Sequence, residues 1–166
     1  MLRSTIRRLV APALAASLVL ASGGVAAADE PSAYTLDPYY CTVTDQDGNI
    51  LPENVVPAGS EIFIFQGWLT ATKGQLTAFM KVATWIFSVD GQAVDVGPYL
   101  TGIFQFYPGS PWANFMIYDA GTLAGGASLD THFDWVLRAA HFDGSVHFPP
   151  GSVSGGGVDC TVTAAP

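Results

Sequence analysis

EIFIFQGWLTATKGQLTAFMKVATWIFSVDG, residues 61–91, decides the fold class, because a strand pattern, a helix with its own start signal and a hairpin turn follow one another without a break. From Glu61 to Leu69 both registers are apolar: Phe63, Phe65 and Leu69 on one, Ile62, Ile64 and Trp68 on the other. Such a run predicts a central strand covered on both faces. Thr72-Lys73-Gly74-Gln75 reads T-x-x-Q, a capping box whose hydroxyl and amide satisfy helix-start backbone donors. Leu76, Phe79, Met80 and Ala83 then fall at i, i+3, i+4 and i+7, so one short helix over about residues 73–83 crosses the strands. Trp85, Phe87 and Val89 resume a strand alternation, and Asp90-Gly91 supplies the left-handed conformations of a two-residue hairpin.

At the N-terminus, Arg3, Arg7 and Arg8 precede an apolar run, Leu9 to Ala21, and the small residues Ala26, Ala27 and Ala28. This is the layout of a secretory signal peptide over residues 1–28, and the run is too short for a membrane span of about 20 residues. Removal of the signal leaves Lys73, Lys81 and Arg138 against all 14 acidic residues, more acidic than the net charge of −8 of the full sequence. Nucleic acid and anionic lipid are excluded as partners on that balance, since phosphate binding needs clustered Lys and Arg. No stable membrane insertion is expected after cleavage, and the localisation implied is extracellular. Residues 29–37, with Pro31, are expected to form a mobile leader, and residues 38–166 a single domain with one core.

Cys41 and Cys160 are the only cysteines, and an even count in an exported chain predicts a disulfide. Both stand in the same setting, Cys41-Thr-Val-Thr44 and Cys160-Thr-Val-Thr163, with Cys and Val on one strand face. The bridge then staples the first strand, Tyr39 to Thr44, to the last, Val158 to Thr163. Between them the sequence predicts Gln92 to Val96 as the return strand of the hairpin, a short strand around Phe104 inside an irregular loop, and a strand from Asn114 to Tyr118. Thr131 to Ala139 alternates most cleanly, with Phe133, Trp135 and Leu137 on a buried face and His132, Asp134 and Arg138 on a wet one. About eight strands with one crossing helix make a mainly β chain, a β-sandwich.

Trp68, Ala71-Thr72-Lys73-Gly74-Gln75, Val89-Asp90-Gly91, His141-Phe142-Asp143-Gly144, Pro149-Pro150-Gly151 and Cys160-Thr161-Val162 resemble, in that order, a group of small exported bacterial proteins with an immunoglobulin-like sandwich. The resemblance covers nearly all of the chain after the signal and implies an Ig-like secreted module. It supplies no catalytic residues. An antibody-type domain has its bridge across the middle of the sandwich, whereas Cys41 and Cys160 sit in terminal strands.

Candidate chemistry is sparse. Asp45, Asp47 and Asn49 around Gly48 offer oxygens for calcium, but placing Gly48 at the sixth position of a calcium loop puts Val43 and Asn54 at ligand positions, so an ordinary turn is preferred. His132, His141 and His147 lack any metal-binding spacing, and no metal or cofactor is expected. His132 with Asp130 or Asp134 resembles half of a nucleophilic triad, but Gly151-Ser152-Val153-Ser154-Gly155 puts Val153 where a nucleophile elbow needs Ser. The aromatics carry more: among four Trp, six Tyr and ten Phe, Tyr99, Phe104, Phe106, Tyr107 and Trp112 crowd into one Pro- and Gly-rich segment. An exposed aromatic strip with few charges is a form taken by sugar-stacking and protein-contact surfaces. The expectation is a non-catalytic secreted module meeting a protein or cell-wall glycan through that loop; a small hydrolase built on His132 and a purely structural envelope protein are the alternatives.

Overall fold

The computed structural model describes residues 32–166, so the signal-peptide expectation for residues 1–28 lies outside the described residues. The strands in chain order are β1 (Ala33–Asp37), β2 (Thr42–Thr44), β3 (Val55–Val56), β4 (Ser60–Thr70), β5 (Ala83–Val89), β6 (Gln92–Ala93), β7 (Phe104–Gln105), β8 (Trp112–Leu123), β9 (Ser128–Leu137), β10 (His141–Phe142), β11 (His147–Phe148), β12 (Gly151–Ser152) and β13 (Val158–Ala164), with helix α1 (Lys73–Val82) between β4 and β5. Six of these are two-residue pairings, which is why the eight strands expected from the sequence become a longer series.

Two sheets form. One runs β2-β1-β4-β8-β7; the other runs β3-β13-β9-β5-β6, with β12 on the same edge of β9 beyond β13. Their facing sides share one apolar core: Leu36, Val43, Ile62, Ile64, Trp68 and Met116 from the first, Phe87, Leu129, Phe133, Trp135 and Val162 from the second. The fold is therefore mainly β and sandwich-like. Helix α1 carries the chain from one sheet to the other. Its capping box is complete, with Thr72 Oγ1 accepting from Gln75 N at 3.2 Å and Gln75 Oε1 accepting from Thr72 N at 2.9 Å. Leu76 and Phe79 turn inward and close one end of the core, Phe79 stacking on Trp68 at 4.1 Å between ring centroids. Asp90 and Gly91 take φ of 49° and 73°, as the β5–β6 hairpin requires.

The disulfide is formed between Cys41 and Cys160, and it ties the turn before β2 to β13. Cys41 itself is not in a strand: its φ is 51°, and the strand expected from Tyr39 shortens to Thr42–Thr44.

Four further expectations need correction. Residues 29–37 were expected to be a leader without structure, yet Ala33–Asp37 is a strand that pairs in parallel with β4, Ala33 opposite Glu61 through Leu36 opposite Ile64. Tyr34 and Leu36 supply the apolar contacts that hold it there. The both-face coverage expected for β4 is met only in part: Ile62, Ile64, Gln66 and Trp68 are buried on the inner face, whereas on the outer face Phe63 and Phe65 are partly buried and Leu69 is half exposed. The Asn114–Tyr118 strand extends to Leu123 by a bulge, Ile62 pairing with Gly121 and Phe63 with Asp119, so Gly121 (φ 79°) lies within the strand rather than after it. Finally, Asp134, expected on a wet face, is buried, because the segment 151–157 lies along β9 and brings Ser154 onto it.

Candidate binding site

The five aromatics singled out between residues 99 and 112 do not form one patch. Phe104 opens β7, and the chain returns at Ala113 and Trp112 in β8, so Phe106–Pro111 is a hairpin tip. Ser110, buried, holds that tip: its Oγ accepts from Phe106 N at 3.1 Å and from Tyr107 N at 3.4 Å, and its carbonyl accepts from Gln105 Nε2 at 2.6 Å. Phe106 and Tyr107 are thereby left 65% and 67% exposed on a pinned backbone. Phe104 and Phe106 stand 5.1 Å apart and each lies 5.8 Å from Phe115, which stacks on Phe65 at 4.5 Å. This aromatic row runs over the outer face of the first sheet.

Trp112 and Tyr99 depart from it. Trp112 is half-buried against the core, with Lys73 Nζ 5.4 Å from its ring centre, and Tyr99 packs edge-on to Tyr118 at 4.9 Å. Tyr99, Phe104, Phe106, Tyr107 and Trp112 are thus brought together only in part, as Phe104, Phe106 and Tyr107 at one end of the sheet.

A second feature lies where β1 leaves β4. Pairing between them ends at Leu36 and Ile64, so residues 65–69 of β4 have a free edge, and a cleft of about 420 Å³ opens beside it. Tyr39, Tyr40, Phe65, Trp68, Trp135 and Phe148 give it aromatic walls, and Asp37, Gln66 and Asp143 contribute polar groups. Asp37 is fixed: its Oδ1 accepts from Tyr39 N at 2.9 Å, from Tyr40 N at 3.1 Å and from Gln66 Nε2 at 2.8 Å. Burial raises its pKa above the usual 3.8, against the two backbone hydrogen bonds, which pull the other way. Burial likewise pushes the Tyr39 phenol up, with Tyr40 and Asp134 adding to the effect. Behind the cleft, His141 is buried between Phe79 at 5.4 Å and Trp68 at 6.2 Å, and this desolvation lowers its pKa while Asp143 opposes the shift. The sequence pointed to neither Asp37 nor the cleft; the Asp37-Pro38 step, which ends a strand and starts a turn, was the signal available.

The histidines scatter. His132 Nδ1 lies 2.7 Å from Asp159 Oδ1, a cross-strand neighbour on β13, and not beside Asp130 or Asp134. Asp130 accepts from Thr161 Oγ1 at 2.6 Å, and Asp134 accepts from Ser154 Oγ at 2.8 Å. The His132–Asp130/Asp134 arrangement expected for a hydrolase is therefore not assembled. His147 stacks on Phe142 at 4.4 Å. In the 45–49 turn, Asp45 accepts from Asp47 N, Asn49 N and Asn49 Nδ2 at 2.8–2.9 Å, and these bonds lower its pKa. Its carboxylate closes the turn on itself.

Comparison with protein families, with curated proteins and with solved structures finds no match to this chain.

Proposed function

We propose that this protein is an exported, non-catalytic module with an immunoglobulin-like sandwich, and that it binds a protein or a cell-wall glycan through the tip of the β7–β8 hairpin and the aromatic row behind it. The observation that carries the reading is the exposure of Phe106 and Tyr107 on a tip pinned by Ser110. With the main chain at Phe106 and Tyr107 pinned by a buried hydroxyl, little backbone entropy is lost when a partner covers the two rings, which favours a binding role over a packing one. Export is supported by the disulfide and by the signal-like composition of residues 1–28; among the described residues no helix is long and apolar enough to cross a membrane.

Binding of the protein to purified cell wall and to a glycan array tests the reading, beside a Phe106→Ala, Tyr107→Ala variant. Both side chains are exposed, so the variant keeps its fold, and loss of binding places the contact at the hairpin tip. Trp112 is unsuited to this test because its ring packs against the core. Equal binding by both proteins, or by neither, removes the hairpin tip as a recognition surface.

A further inference from the structure

The cleft beside the free edge of β4 has a chemistry different from that of the hairpin tip. Its walls are ring faces and edges, each aromatic face carrying the negative end of a quadrupole. Among the described residues, its charged groups are the carboxylates of Asp37 and Asp143, and no Lys or Arg lines it. The side-chain donors that line it are chiefly the phenol hydroxyls of Tyr39 and Tyr40. The Gln66 amide is turned to its own surroundings, Nε2 donating to Asp37 and Oε1 accepting from Gly67 N at 2.6 Å. The indole N–H groups of Trp68 and Trp135 are buried out of solvent and have no acceptor among the described residues. Asp37 Oδ1 is taken by three donors, while Oδ2 has no hydrogen-bond partner among the described residues. Its fixed charge is anionic and its walls are mostly rings, so a cation with apolar substituents matches it more fully than a neutral sugar does.

We propose that this cleft binds a quaternary ammonium cation of the choline type, its methyl groups against the Tyr39, Tyr40 and Phe65 rings and its charge beside the carboxylate of Asp37. A trimethylammonium group has no polar hydrogen to satisfy, so it asks of its site what this cleft supplies: π faces and an uncompensated carboxylate. The cavity of about 420 Å³ falls within the range of small-ligand sites. Three donors to Oδ1 fix the Asp37 carboxylate in place without the ligand's help, a preorganised arrangement. Burial already disfavours its charged form, and a cation in contact with it offsets that cost. The proposal goes beyond the hairpin-tip reading and does not depend on it.

The test is titration of the full protein with choline chloride, with sodium chloride at equal ionic strength as control and with 3,3-dimethylbutan-1-ol as the uncharged isostere of choline, read by tryptophan emission and by saturation-transfer NMR. Saturable binding of choline, at least tenfold tighter than that of the alcohol and lost at least tenfold in Asp37→Asn, is the expected result. Asparagine keeps an oxygen for the three donors to Oδ1, and the melting temperature of the variant checks that the fold is intact. The Phe106→Ala, Tyr107→Ala variant is expected to bind choline unchanged, so failure of one site is distinguishable from failure of the other. A second arm with phosphatidylcholine vesicles separates a headgroup source, in which the protein sediments with the vesicles, from a free cation, in which it does not. No saturable binding, equal binding of the alcohol, or unchanged binding by Asp37→Asn overturns the proposal.

Discussion

The Phe115 ring occupies the space that a side chain at Gly67 would need: a Cβ there would overlap the ring and stand 2.8 Å from the carbonyl oxygen of Asn114. The two residues are partners in the β4–β8 ladder, and the missing side chain lets Phe115 lie over β4 and stack on Phe65. Gly67→Ala is therefore expected to destabilise the fold by about 1–3 kcal/mol, the usual cost of overpacking. It also displaces Phe115, against which Phe104 and Phe106 pack, so binding at the hairpin tip should weaken although position 67 touches no ligand. Urea denaturation of the variant measures the first effect; an unchanged midpoint would mean that Phe115 moves aside at no cost.

His141 makes stability depend on pH. Its folded pKa lies below the ordinary 6.5 because burial between Trp68 and Phe79 disfavours the imidazolium. The unfolded chain therefore binds the proton more readily, and the stability that the neutral ring contributes is present above pH 6.5 and is lost as pH falls toward the folded pKa. His141→Phe should remove this dependence. Melting temperatures of both proteins across that window check it, and an equally steep fall in the variant would assign the effect to other groups.

What the sequence revealed about this fold was local. Thr72 and Gln75 lie three positions apart and cap one helix; Asp90 and Gly91 are adjacent and make one turn; the alternation of Phe133, Trp135 and Leu137 sits within one strand. Each is fixed by backbone sterics and hydrogen bonds within a few residues. What stayed hidden depends on partners distant in the chain. Residues 33–37 look featureless alone and become a strand between β4, which they pair in parallel, and β2, which they pair antiparallel. Asp134 reads as solvated until residues 151–157 return to cover it, and His132 finds Asp159 through the β9–β13 register. The aromatic segment was legible as a functional candidate by composition, but its division between Phe106 and Tyr107 outside and Trp112 inside was not. The cleft was the least legible, since it exists where two strands stop pairing.

The disulfide closes a loop whose ends are 119 residues apart, which restricts the unfolded chain by roughly 4–5 kcal/mol in the chain-entropy model. That is a large share of the stability of an ordinary domain, about 5–15 kcal/mol. Asn54 reinforces the same junction: with φ of 52°, it donates from Nδ2 to Cys41 O at 3.0 Å, accepts at Oδ1 from Val43 N at 3.2 Å, and accepts at its carbonyl from Thr163 N at 3.1 Å. Cys41→Ser, Cys160→Ser is expected to lose most of that stabilisation. Asn54→Ala should cost about 1–3 kcal/mol even with the bridge intact, from the lost hydrogen bonds and the left-handed backbone. Chemical denaturation in oxidising buffer separates the two; an Asn54→Ala protein as stable as the parent would mean that the bridge alone sets this junction.

Asp134 and His132 stand two residues apart on β9, and their substitution should have opposite consequences. Asp134 is buried and accepts from Ser154 Oγ at 2.8 Å, and Ser154 Oγ in turn accepts from Gly157 N at 2.9 Å. This relay helps to pin the glycine-rich segment 155–157, whose residues take φ of 81°, 130° and 99°, alongside the bond from Gly156 N to Ser152 Oγ at 2.6 Å. Asp134→Ala leaves two donors on Ser154 without their acceptor and is expected to cost about 1–3 kcal/mol. Amide exchange should quicken at Gly157, whose N–H donates to Ser154 Oγ, more than at Gly156, whose N–H donates to Ser152 Oγ. His132 is partly exposed and its partner Asp159 is 88% exposed, so their contact is screened and His132→Ala should change stability little. Under the binding-module reading His132→Ala also leaves ligand binding intact, whereas a hydrolase built on His132 would lose all turnover. Hydrogen exchange on the two variants, with binding measured on the same samples, separates a residue that holds the chain in place from one that acts on a ligand.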